Sequence, residues 1–367
     1  MREANTTNRA SILYWSVLLG GSCLVTLLAF NPRLIEKYYS TGAYPWLAKS
    51  LRLLFGWLPI SLGDIVYALL IILILAKTVW VVKGILHKMF SVQTYRKIIG
   101  RVVSFVLGFY ILFMLFWGLN YNRLGIAHQL NFEVEEYSTA DLDTLTGLMQ
   151  EKLNHFASFV TEAQRDSFDR KRLLFREGSN AFKMASEKFS FLTYQPVSIK
   201  PSLFSYIENY LGFLGYYNPF TGEAIVNTKM PRMLEPFVTA HEIAHQLGYA
   251  RENEANFVAY LAGSNSGSNV MQYSTYFYMY NYAIAELDRR DSLRAVAYRN
   301  ALHPQCKKDY EEVREFYRLN KGPAQQTIAW VYDKYLRANG QKGGRKTYNQ
   351  VVTWLVAYYK KYGKAAL

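Results

Sequence analysis

Residues 236–256 read PFVTAHEIAHQLGYARENEAN, and the rest of the chain is best read outward from them. His241 and His245 are four residues apart, so on a helix they share one face and can present two imidazoles to one metal ion. Glu242 lies beside them, close enough to hold or deprotonate a water on that ion. Pro236 suits a first helical turn, where its missing N–H would have no partner anyway. Phe237, Ala240, Ala244 and Leu247 recur at three- and four-residue spacing, as a buried stripe does. Gly248 stands where a left-handed terminating residue is expected. The stretch therefore predicts a helix over 236–247 with both histidines off its main apolar stripe. Hydrolytic zinc sites take three protein ligands and leave a fourth position open. The reaction class implied is metal-assisted hydrolysis, with Zn2+ as cofactor and Glu242 as general base.

Only six histidines are present. His87 falls in a basic loop, and His128, His155 and His303 are distant, so a nearby carboxylate is the economical third ligand. Glu252 and Glu254 both qualify. The segment Glu252-Asn253-Glu254-Ala255-Asn256 resembles the second motif of gluzincin zinc peptidases, Glu-x-x-Ala-Asp/Asn. That resemblance implies Glu252 as zinc ligand and Asn256 as the partner that orients a ligand histidine. Glu254 is the alternative, but it would put Val258 in the orienting position, where no hydrogen bond can form. A metzincin reading needs a third histidine where Arg251 stands, and its methionine turn would fall at Asn269–Tyr273, which reads better as a Tyr-rich helix. The stretches Tyr217–Ala224 and His241–Ala262 are also similar to an uncharacterised bacterial family of multi-pass membrane proteins. That similarity implies a membrane location and a zincin-like fold, and it supplies no substrate.

Half of the 367 residues are hydrophobic, and they are unevenly spread. Residues 11–30 carry no charge, residues 62–82 hold a wholly apolar run from Ile65 to Ala76, and residues 102–120 are again charge-free. Each is long enough to cross a hydrocarbon core of ~30 Å. The first lacks a small-x-small cleavage site, so it reads as a retained span rather than a signal peptide. Gly21-Ser22-Cys23 hints at lipoprotein processing, but the large aliphatic residue expected before it is missing. Lys83, Lys88, Arg96, Lys97 and Arg101 lie between the second and third spans without an acid among them, which predicts a cytoplasmic loop. The zinc motif then falls outside the cytoplasm, beyond a bacterial inner membrane.

The net charge is +14, and residues 1–120 supply +9 of it, twelve basic against three acidic residues. Much of the basic balance is thus topological, and no nucleic-acid-binding motif is visible. From Lys321 onward nine basic residues face the single acid Asp333, interleaved with Trp330, Tyr348, Trp354 and Tyr358. They read as solvated faces on core helices, or as a surface for anionic lipid headgroups or an acidic substrate. Cys23 and Cys306 lie in different environments and do not predict a disulfide.

Residues 121–367 are ample for one packed domain, expected to be α+β, helix-dominated and zincin-like. Helices are expected from a cap at Tyr137–Asp141 toward Phe156, at Ser179–Lys188 and at Asn269–Leu287. Glu223–Thr228 has strand character and is expected at a sheet edge, where an extended peptide can add. The Gly/Ser-rich run 263–269 reads as a mobile rim or a plain connection. The function expected is a membrane-anchored zinc metallopeptidase acting on a peptide or protein substrate. Tyr249, Arg251 and Tyr260 are the candidate oxyanion donors. The alternatives are a zinc-stabilised envelope scaffold without turnover and a zinc hydrolase of a non-peptide amide.

Overall fold

A computed structural model describes residues 2–338 and 350–367. Three helices are long and apolar enough to cross a membrane, at Ser11–Ala29 within a helix that begins at Arg2, at Leu62–Leu86 and at Val92–Phe116. Leu69, Ile72, Leu75, Val103 and Phe105 stand exposed along them, an apolar surface that water would not tolerate and a bilayer covers. The third helix starts at Val92 rather than at 102. Ser91 caps it by accepting from the Thr94 N–H, and Arg96, Lys97 and Arg101 ride on its early turns. Long basic side chains at a span's end can reach the headgroups, so an apolar-run count starts the helix too late.

Between the first two spans, Ile35–Ala43 forms a π-helix that runs into the α-helix Tyr44–Phe55. This segment packs against the domain that follows the third span. Glu36 accepts from Arg123 Nη2 at 2.8 Å and Nε at 3.1 Å. Tyr44 is buried, and Arg52 donates to the carbonyl of Pro196.

The domain holds three short strands, β1 (Ile199–Pro201), β2 (Gly215–Asn218) and β3 (Glu223–Val226), in the order β1-β3-β2. β1 runs parallel to β3 with Ile199 opposite Ala224, and β2 runs antiparallel with Gly215 opposite Val226. The strand expected at the edge is therefore the central one, a correction to the sequence reading. Every residue of β3 is buried between its two neighbours, and the tight turn through Gly222 folds β2 back beside it, so that β1 and β2 are the edges.

The remaining elements are helical. The motif helix, Glu235–Gln246, packs on β3, on Lys171–Lys188, on Asn269–Arg290 and on the helix Glu252–Ser264 that carries the second motif. Thr139–Phe159 begins with a capping box between Ser138 and Asp141, close to where the sequence placed it. The residues offered as a methionine turn form the start of Asn269–Arg290, with Met271 buried. Asn265–Ser268 is a short connection that takes no part in the cleft described below. Trp354 and Tyr358 of the tail pack into the core, Trp330 is exposed, and Tyr348 lies outside the described residues. Cys23 and Cys306 are both free.

Candidate metal centre

The motif helix ends at Gln246, and Gly248, at φ +90°, reverses the chain. A side chain is strained at that φ, and a Cβ there would come within 2.9 Å of the Tyr44 ring. The reversal brings the Tyr249 carbonyl oxygen to 2.7 Å from His245 Nδ1. A carbonyl only accepts, so Nδ1 carries the proton and Nε2 is left with its lone pair, the tautomer a metal ligand needs. Burial, helped by the charge of His241, depresses the His245 pKa to about 4, so this ring is neutral at physiological pH.

The next helix opens at Glu252 and aims its carboxylate at both rings. Glu252 Oε2 lies 3.2 Å from His241 Nε2, and Oε1 lies 3.9 Å from His245 Nε2. The three ligand atoms lie within 4.8 Å of one another. Zinc with bonds of ~2.05 Å separates tetrahedral ligand atoms by about 3.3 Å, so the set is close to closing on an ion. Burial raises the Glu252 pKa, but the hydrogen bond from His241 and the two histidine charges overcome it and hold the carboxyl near 2. Burial lowers the pKa of His241, and the Glu252 bond with the charges of Glu252 and Glu242 outweighs that and raises it.

Glu242 is buried, and its Oε2 has no hydrogen-bond partner. Burial pushes its pKa up to about 8; His241 opposes the shift, and the charges of Glu252 and Glu208 add to it. A Cβ on Gly215 of β2 would lie 2.8 Å from Glu242 Oε1, so the edge strand meets this carboxylate where only a glycine fits. Asn256 sits beside His241, and its side chain raises the pKa of that ring. Asn256 Nδ2 and His241 Nδ1 are both buried without a hydrogen-bond partner.

The other sequence candidates lie elsewhere. Glu254 packs against Gly125 and accepts from Arg251 at 3.5 Å, outside the His241–His245–Glu252 group. Tyr249 donates to Gln129 Oε1 at 2.6 Å, and Arg251 donates to the carbonyls of Tyr121 and Arg123. The Tyr260 hydroxyl is buried against the carbonyl of Leu367. None of these three candidate oxyanion donors lines the cleft.

Sequence reasoning missed Tyr332. It sits on the helix Pro323–Ala338, and its hydroxyl donates to Glu252 Oε1. Tyr335, one turn on, bonds the Tyr121 hydroxyl at 3.2 Å. The available signal was the aromatic spacing in the basic tail, which read as core packing. These groups line a cleft of about 880 Å³ whose walls include His241, Glu242, Glu252, Tyr332, Trp117 and the edge strand β2.

Two imidazole nitrogens and one ionised carboxylate, with the unpartnered Glu242 Oε2 beside them, are a donor set that could hold a metal ion. His241, His245 and Glu252 would hold it, with Glu242 and Asn256 around them. No curated protein and no solved structure matches the chain. A family described as "Protein of unknown function (DUF3810)" matches residues 39–356, a range that takes in the second and third spans, the sheet and the whole His/Glu cluster, and the chain belongs to that family.

Proposed function

We propose that the protein is a membrane-anchored zinc metallopeptidase of gluzincin-like, zincin-type architecture. In this reading the domain that follows the third span works outside the cytoplasm of a bacterial cell. The observation that carries it is the convergence of His241 Nε2, His245 Nε2 and the Glu252 carboxylate beside the unpartnered Glu242 carboxyl in a large cleft. A structural zinc site has four protein ligands and no use for a fifth ionisable group. The basic loop between the second and third spans supports the orientation.

A zinc ion held by the three ligands would act as a Lewis acid on the scissile carbonyl and make water more acidic. Glu242 takes the proton of the attacking water and returns it to the leaving amine. Its raised pKa suits the second half of that task, and a cation held beside it would lower the pKa toward the range the first half needs. β2 offers an unpaired strand edge at the cleft, along which an extended peptide adds antiparallel or parallel. Tyr332 lines the cleft with its hydroxyl on Glu252, and with a metal held by Glu252 that hydroxyl would be placed to donate to the developing oxyanion.

The test is Glu242→Gln. It keeps shape and hydrogen bonding and removes basicity. Zinc content and folding should persist while hydrolysis of a peptide library falls by about 100-fold or more. Equal hydrolysis by the variant would overturn the reading.

A further inference from the structure

The sheet that builds the cleft is fastened to the membrane spans without any linker. Glu223 of β3 accepts from the Leu62 N–H at 3.2 Å and the Gly63 N–H at 2.6 Å, so a domain carboxylate caps the N-terminus of the second span. Asp64, one residue on, accepts from the Leu203 N–H at 2.7 Å and from the Tyr216 hydroxyl. Tyr216 also stacks on Tyr67 of that span, with centroids 5.9 Å apart. On the third span, Phe109 and Phe116 pack on Phe220, and Trp117 sits between Tyr217 at 4.8 Å and His245 at 5.9 Å. Tyr216 touches the second span, and its neighbour Gly215 abuts Glu242. Adjacent Cα atoms are about 3.8 Å apart, so neighbouring residues of one strand touch the span's end and the base.

The surface around this junction is apolar and open. Tyr206, Ile207 and Tyr210 of the helix Ser205–Leu211 are 67%, 56% and 60% exposed, and Trp57, just before the second span, is 75% exposed. The same Ser205–Leu211 helix leads directly into Leu211–Leu214 of the cleft wall. Aromatic and aliphatic side chains grouped at a span's end are the composition of an interfacial belt. Two polar groups here turn inward, Lys200 donating to the carbonyls of Gly56 and Leu58 and Glu208 accepting from Ser202, while exposed Lys229 lies over the Tyr206 ring at 5.5 Å, as a lysine reaching for headgroups does.

We infer that this face is immersed in the bilayer interface, and that the cleft takes polypeptide held at the membrane surface: a segment flanking a span or a lipid anchor, within about six residues of it. Six extended residues reach ~20 Å, the distance a site fastened to the span ends can serve. The substrate part of this inference rests on the proposed hydrolase reading; the immersion does not.

Two measurements on the full-length protein in lipid nanodiscs test it. In a Cys23→Ser background, nitroxides are attached at Tyr206→Cys and Ile207→Cys, with Leu293→Cys, on the helix Ser292–Asn300, as the aqueous control. The inference expects the first two to collide more with oxygen than with a water-soluble nickel chelate, and the third the reverse. Water-type accessibility at 206 and 207 overturns the immersion. The second measurement compares one peptide pool, free and attached to a diacyl lipid in the same nanodiscs, with Glu242→Gln as the blank. Anchored peptides should be cut at least about tenfold faster, at bonds within six residues of the anchor, because tethering raises their concentration at the cleft. Equal rates for free and anchored pools, or cuts only far from the anchor, overturn the substrate class while leaving the hydrolase standing. Cleavage of neither pool above the blank overturns the hydrolase and with it the substrate class, and the nitroxide result still decides the immersion.

Discussion

His245 Nδ1 lies 2.7 Å from the carbonyl oxygen of Tyr249, and this contact decides which nitrogen of the ring faces the cleft. The acceptor belongs to the backbone, so no side-chain replacement at 249 removes it. What sets it is the left-handed turn at Gly248, supported by Arg123, whose Nη1 donates to the Gly248 carbonyl at 3.1 Å.

Gly248→Ala tests that relationship. The added methyl meets both an unfavourable φ and the Tyr44 ring, so the turn must shift. The expected cost is about 1–3 kcal/mol of stability, with a loss of zinc affinity of about tenfold or more as the His245 ring loses its fixed tautomer. Thermal melts and zinc titration of the same preparation would check both. An unchanged affinity would show that the carbonyl contact is dispensable.

Glu252→Ala and Glu254→Ala should separate cleanly. The first removes a group that faces both histidines and is expected to abolish zinc binding at low-micromolar free metal. The second removes a carboxyl packed on Gly125 beside Arg251, and should leave zinc affinity within a few-fold of the wild type. Competition with a fluorescent zinc chelator reads the difference, and the reverse order of effects would move the ligand to Glu254.

Of this arrangement, the motif helix, its terminating glycine and the His/His/Glu cluster were legible in the sequence, because helical spacing is local and Gly248 has one conformational use. The three apolar runs were legible for the same reason, apart from the start of the third, where basic residues on a helical end hide the helix from an apolar count. The strand order was not legible. β3 is a short buried run, and which neighbours cover it depends on β1, more than twenty residues before it. Tyr332 was hidden for a like reason: its bond to Glu252 spans eighty residues, and nothing local distinguishes it from the core tyrosines around it. The inter-span segment gave no sign that Glu36 pairs with Arg123 or that Arg52 donates to domain carbonyls, since each looks like an ordinary surface charge until its partner is placed.

The metal-free protein should lose stability as pH rises. Glu242 has its pKa raised from 4.5 to about 8, so between those values the folded chain keeps a proton that the unfolded chain has given up. Glu208 and Glu235, raised by burial to about 7, add the same sign up to that pH. Glu242→Gln removes the largest part. At pH 8 the zinc-free variant should be more stable than the zinc-free wild type by roughly 2–4 kcal/mol, and the gap should close near pH 5. Parallel melting curves across pH 5–8 would contradict the burial argument.

Tyr332→Phe isolates the roof of the cleft. It removes one hydroxyl that donates to Glu252 and keeps the ring that stacks on Tyr335. Zinc content should be unchanged and kcat should fall by about 10- to 100-fold with KM little altered, the pattern of a donor used in the transition state. A fall in zinc content instead would make Tyr332 a support for the ligand alone.

The most direct test of the whole account is the metal content of the full-length protein, purified in detergent, equilibrated with low-micromolar zinc and desalted. Elemental analysis should give about one zinc per chain for the wild type and almost none for His241→Ala or His245→Ala. A wild type without bound metal, or variants that hold as much as the wild type, would contradict the metal centre and the function proposed from it.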